Sequence, residues 1–164
     1  MEHKITKGVF AGTFDPPTLG HKEILKNCLQ LFDEVVVAIL TNPQKKPYFT
    51  EAERIEMLQL MFSDQPRLRI RTFSGTATAL LEEENTRFYV RGIRNGIDLD
   101  YENANFYASK KLNENFTAVY LPCSQELLHV SSSVVKNSLQ FNTPIDEYVT
   151  PAVKEYIYTK VNKN

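Results

Sequence analysis

The segment Glu34-Val35-Val36-Val37-Ala38-Ile39-Leu40 carries six consecutive apolar side chains, four of them β-branched. A strand of this kind shows no polar face to water, so it must be covered on both sides. The run is far too short to cross a bilayer. Ile5 to Ala11, Arg87 to Val90 and Ala118 to Leu121 read as further strands, and Arg67 to Phe73 alternates basic and apolar residues as a strand nearer an edge does. Helical spacing fills the intervals: Ile24, Leu25, Cys28, Leu31 and Phe32, then Ala77, Leu80 and Leu81, then Ile97, Tyr101, Ala104 and Ala108. Thr50 and Glu53 form a capping box before Ile55, Leu58, Met61 and Phe62, and helices are expected from Ser132 and from about Pro151. Five strands alternating with helices predict an α/β, Rossmann-like fold. It has a five-stranded parallel sheet with helices on both faces, and residues 1–164 form one domain.

Composition narrows the partners. Nineteen Lys and Arg against twenty Asp and Glu leave a formal charge of −1, so no overall basic field holds a polyanion and duplex nucleic acid is not expected. Residues 1–7 lack the apolar core of a signal peptide and no segment suits a membrane, so the chain is expected to be cytoplasmic. Cys28 and Cys123 are too far apart in sequence for a metal motif and read as reduced thiols. His3 is expected to be a mobile terminal residue. No cluster of His, Cys or carboxylates has the spacing of a protein-held metal site.

In open parallel sheets, ligands bind beyond the carboxyl ends of the strands, where strand order reverses. The unusual segments all follow strands: Gly12 to His21, Asn42 to Pro47, Phe73 to Thr76, Arg91 to Gly96, and the stretch ending Ser131-Ser132-Ser133. The first combines glycines, two prolines and a helix start, which suits an anion. His21 would face it from the first helical turn; an isolated Gly-His pair would more simply be surface. Lys45 and Lys46 stand between two prolines, with solvated surface charge as the plain alternative. Arg91 and Arg94 offer guanidinium forks suited to phosphate, or rim ion pairs with Asp98, Asp100 or Glu102. Capping explains one of the three serines but does not call for three.

Gly12-Thr13-Phe14-Asp15-Pro16 through Gly20-His21 resembles the signature of the nucleotidylyltransferase superfamily. Further motifs resemble, in order and spacing, the bacterial phosphopantetheine adenylyltransferase family. They are Lys45-Lys46-Pro47 with Glu53-Arg54, Arg91-Gly92-Ile93-Arg94 with Asp98 and Glu102, and Ser131-Ser132-Ser133-Val134-Val135-Lys136. The resemblance implies transfer of AMP from ATP to 4'-phosphopantetheine, giving dephospho-coenzyme A and pyrophosphate, with magnesium arriving on ATP. It also implies a homohexamer and feedback by coenzyme A. It assigns Thr13, His21, Lys45 and Arg94 to the reacting phosphates. Thr13, Lys45, Ala77 and Arg91 would bind phosphopantetheine. ATP would be held by Thr13, Phe14, His21, Gly92, Ile93, Arg94, Glu102, and Leu127, Leu128, His129, Val130, Ser131, Ser132 and Ser133. Two segments depart from the family pattern: Leu127-Leu128-His129-Val130 replaces an aromatic-Ser-aromatic-Ile run, and Ser74-Gly75-Thr76-Ala77-Thr78 is smaller and more polar than the usual leucine-containing version. The alternatives are a related adenylyl- or cytidylyltransferase with another phosphorylated acceptor, and a non-catalytic nucleotide sensor.

Overall fold

A computed structural model describes residues 4–162; the expectation for His3 and the first three residues of the leader reading lie outside them. The chain runs β1 (Lys7–Gly12), α1 (Leu19–Leu31), β2 (Glu34–Leu40), α2 (Glu51–Met61), β3 (Leu68–Phe73), α3 (Ala77–Glu83) and β4 (Phe88–Ile93). It continues through α4 (Gly96–Leu112), β5 (Thr117–Pro122), a short 3-10 turn (Gln125–Leu127), α5 (Ser132–Gln140) and α6 (Pro151–Val161). The strands form one sheet in the order β3-β2-β1-β4-β5, and every pairing is parallel.

Alternation within the central strands divides the core. Phe10, Val35, Val37 and Ile39 point to the larger cluster, built with Ile24, Leu25 and Cys28 of α1, Met57 and Leu58 of α2, Val135 of α5 and Val153 and Ile157 of α6. Val9, Ala11, Val36 and Ala38 point to a smaller cluster with Leu80 and Leu81 of α3 and Phe116. Both faces are therefore covered, and β2 is buried from Val35 to Ile39 as its apolar run requires. At Gly92 an added Cβ would come within 3.0 Å of Ile24 Cγ1, so glycine lets β4 lie against α1.

Several expected boundaries and faces move. β1 starts at Lys7, with Ile5 60% exposed. In α1, Leu29 is buried where Leu31 was expected. In α2, Arg54 and Met57 are buried while Ile55 is only partly so. β4 runs on through Arg91, Gly92 and Ile93, which pair with Tyr120, Leu121 and Pro122; these residues are strand, not loop. The expected stripe on α4 is not a core face: Ile97 is 81% exposed, Tyr101 66%, and Glu102 is the buried residue of that helix. Apolar spacing gives a helix's period but not whether its own chain covers the stripe.

Candidate active site

The sheet order turns in opposite directions from β1, toward β2 on one side and β4 on the other. The loops leaving β1 and β4 part at this point and open a crevice. The loop after β1 is fixed from both sides. Asp15, 6% exposed, accepts from the backbone N–H of Tyr48 (2.8 Å) and of Phe49 (2.8 Å), which lead into α2. Arg54 of α2, 4% exposed, donates from a terminal guanidinium nitrogen to the Thr13 carbonyl at 2.9 Å. From the other side, Ser132 Oγ donates to the Pro16 carbonyl at 2.8 Å, and Lys136 Nζ lies 3.7 Å from Asp15.

The loop delivers Thr18 as the N-cap of α1, and His21 occupies the third helical position. Thr18 N–H donates to His21 Nδ1 at 3.0 Å, while the Thr18 hydroxyl accepts from His21 N–H at 3.4 Å. This is a capping box with imidazole in the place usually taken by Glu. Because Nδ1 accepts, the neutral ring carries its proton on Nε2. Burial, reinforced by the Arg91 and then the Arg94 charge, pushes the His21 pKa down to about 4. His21 is thus an uncharged donor at pH 7. Phe14 lies beneath it, ring centroids 4.8 Å apart and 1% exposed, so its ring forms the floor under the imidazole and offers no free surface.

Both arginines are held by carboxylates of α4. Arg91 Nε donates to Glu102 Oε1 at 2.8 Å, and a terminal nitrogen donates to the Ala11 carbonyl. Arg94 Nε donates to Asp98 Oδ2 at 3.0 Å. The ion pairs that the sequence offered as an alternative to phosphate binding are therefore formed. They fix where the guanidinium groups stand and leave other N–H donors on each.

Behind Arg91 a cavity of about 390 Å3 runs between α3 and α4, lined among others by Ala77, Thr78, Tyr89, Tyr101, Glu102 and Asn105.

Proteins similar to this chain match nearly all of its length. The cytidylyltransferase-like family profile matches residues 9–138. The phosphopantetheine adenylyltransferase of Thermotoga neapolitana is 37% identical over 155 residues, 94% of this chain and 96% of that protein. That of Coprothermobacter proteolyticus is 36% identical over 160 residues, 96% of this chain and 98% of that protein. This chain belongs to the phosphopantetheine adenylyltransferase family. A crystal structure from Vibrio parahaemolyticus, assigned as a nicotinate-nucleotide adenylyltransferase, superposes with a TM-score of 0.69 at 22% identity, covering 96% of this chain and 94% of that one. That likeness speaks for the fold.

Within this phosphopantetheine adenylyltransferase family member, the residues singled out from sequence fall in four places. Thr13 in the loop after β1, His21 in the first turn of α1 and Arg94 just past β4 stand at the β1/β4 crevice, with Arg91, Gly92 and Ile93 in β4 itself. Ala77 and Glu102 line the cavity with Arg91. Lys45 is exposed on the turn after β2, its N–H bonded to the Asn42 carbonyl at 3.0 Å, and the cavity does not include it. On the far side Leu127 ends the 3-10 turn, Leu128 is 42% exposed, His129 meets Tyr148 edge-on at 6.0 Å between centroids, and Val130 is 4% exposed. The three serines separate: Ser131 caps α5 by accepting from Val134 N–H, Ser132 holds Pro16, and Ser133 is exposed. Thr18, Asp15 and Arg54 carry or fix site residues without having been assigned that work. Thr18 was readable from its Thr-x-x-His spacing; Arg54 was not, since its partner is a main-chain carbonyl 41 residues away.

Proposed function

We infer that this chain transfers the adenylyl group of ATP to 4'-phosphopantetheine, releasing pyrophosphate and giving dephospho-coenzyme A. Support comes from relatives of that name matched across nearly the whole of both chains. The observation that carries the chemistry is His21, a neutral Nε2–H donor held by Thr18 beside two guanidinium groups.

An acceptor phosphate is already anionic at neutral pH, so it needs neither a strong base nor a protein nucleophile. Its oxygen forms a bond to the α-phosphorus in line with the bridging oxygen that departs on pyrophosphate. The protein's part is to position two polyanions and to stabilise charge developing on the α-phosphate. In this reading Thr13, His21, Lys45 and Arg94 serve the phosphates, Arg91 and the main chain at Ala77 hold the acceptor, and Gly92, Ile93, Glu102 and residues 127–133 hold ATP. Among the described residues no group of three His, Cys, Asp or Glu is placed to bind a metal. Magnesium arriving with ATP would supply charge neutralisation there. The same reading takes the chain as a cytoplasmic homohexamer subject to feedback by coenzyme A. No helix among the described residues is long and apolar enough to cross a membrane, and the exposed apolar side chains of α4 offer a surface for another copy.

Incubation with magnesium-ATP and separate acceptors tests the assignment. Pyrophosphate should appear with phosphopantetheine and be negligible with nicotinamide mononucleotide. Adenylation of the mononucleotide alone would transfer the chain to the alternative acceptor class.

A further inference from the structure

The cavity between α3 and α4 holds a polar group that the fold leaves unsatisfied. Thr78, 6% exposed, lies in the first turn of α3 and lines this cavity. Its Oγ1 is the one buried side-chain nitrogen or oxygen among the described residues without a hydrogen-bond partner. Buried hydroxyls are nearly always paired, and leaving one unpaired is costly. Valine would fill the same volume with no polar atom to satisfy. The neighbouring Thr76 shows the contrast: its hydroxyl caps α3 by accepting from Ala79 N–H.

We propose that Thr78 is a specificity-determining residue whose hydroxyl hydrogen-bonds an amide of the acceptor's arm. This rests on the assignment of phosphopantetheine as acceptor. The arm of that molecule is a chain of methylenes interrupted by two amides and a hydroxyl. It therefore needs a mostly apolar cavity with a few fixed polar partners, which is what Tyr89, Phe106, Ala108 and Phe116 with Thr78 and Asn105 provide. Threonine has two χ1 rotamers open to it in a helix, so the hydroxyl can turn to the ligand without movement of the backbone. An unpaired hydroxyl in the free protein becomes paired in the complex, and an acceptor lacking a polar group at that point forfeits the gain.

Thr78→Val, Thr78→Ser and wild type are compared by calorimetric titration with phosphopantetheine and with ATP, by steady-state kinetics and by melting of the free protein. The expected result is a fivefold to tenfold weaker phosphopantetheine Kd and KM in Thr78→Val, matching the net worth of one hydrogen bond. ATP affinity and kcat at saturating acceptor should not change. Thr78→Ser, which keeps the hydroxyl, should bind phosphopantetheine as wild type does, and free Thr78→Val should melt no lower than wild type. If Thr78→Val does not fold, Thr78→Ala carries the same binding expectation. Unaltered phosphopantetheine affinity in the valine variant, or equal weakening in valine and serine variants, overturns the proposal. A wild-type protein that does not turn over phosphopantetheine overturns instead the acceptor assignment on which it rests.

Discussion

His21 shows how one side chain is set by its neighbours for one task. Thr18 fixes the tautomer, Phe14 supports the ring, and burial with two nearby guanidinium groups keeps it neutral. A donor whose hydrogen bond strengthens as charge moves onto the α-phosphate acts mainly in the transition state. His21→Ala should therefore lower turnover by about 100- to 1,000-fold, the usual loss for one such donor, while ATP affinity changes little. Single-turnover kinetics with equilibrium binding checks this, and near-normal turnover would remove His21 from the role. The same residue sets a pH dependence. Unfolded His21 takes up a proton below about 6.5, whereas folded His21 does so only below about 4. Between these values the unfolded chain binds more protons, so this contribution to stability is present above about pH 6.5, declines as pH falls through the window, and is lost below about pH 4. Denaturant titrations from pH 7 to pH 4 should show a steeper loss in wild type than in His21→Gln.

At the scale of elements, the loop after β1 is held by its partners more than by its own sequence. Asp15 accepts two backbone N–H groups from the segment leading into α2. In Asp15→Asn one of those acceptors becomes an amide nitrogen, which sets a donor against a donor at a buried position. The expected cost is about 1–3 kcal/mol. Hydrogen exchange at Tyr48 and Phe49 should accelerate together with that loss, and unchanged protection would show that the tie does not fix this segment. Much of this architecture was legible beforehand. The β2 run announced a covered central strand, Thr50 and Glu53 announced α2, and the segments following β1 and β4 lie at the point where strand order reverses. What was not legible involved partners distant in sequence. Arg54 looks like a charge interrupting an apolar helix until the Thr13 carbonyl is placed beside it. Arg91 and Gly92 look like loop residues until β5 pairs with them. The serines look equivalent until Pro16 takes one.

For the whole molecule, α4 raises the matter of assembly. Its apolar positions at Ile97, Tyr101, Tyr107 and Leu112 face outward, and the cluster on that side of the sheet is the smaller of the two. Sequence periodicity found the helix and misjudged its cover, because apolar spacing gives a helix's period and not which surface, if any, covers the stripe. The proposed hexamer leads to a definite mass, six times that of the 18.9 kDa chain, in light scattering at micromolar concentration. A fully active monomer at that concentration would remove the assembly from the proposal.

The ties on the loop after β1 also bear on where the chain can change in length. Thr13, Asp15 and Pro16 are each bonded to a different partner within four consecutive residues, so one inserted residue there puts at least one pairing out of reach. The turn carrying Lys45 is exposed from Asn42 to Tyr48 and is fixed at its far base where Phe49 meets Asp15. Insertions there lengthen the reach of a cation and leave the bonded loop as it was. Natural variation in the size of the acceptor or in the spacing of its charges would then be met by adding or removing residues after β2, with the loop after β1 constant in length.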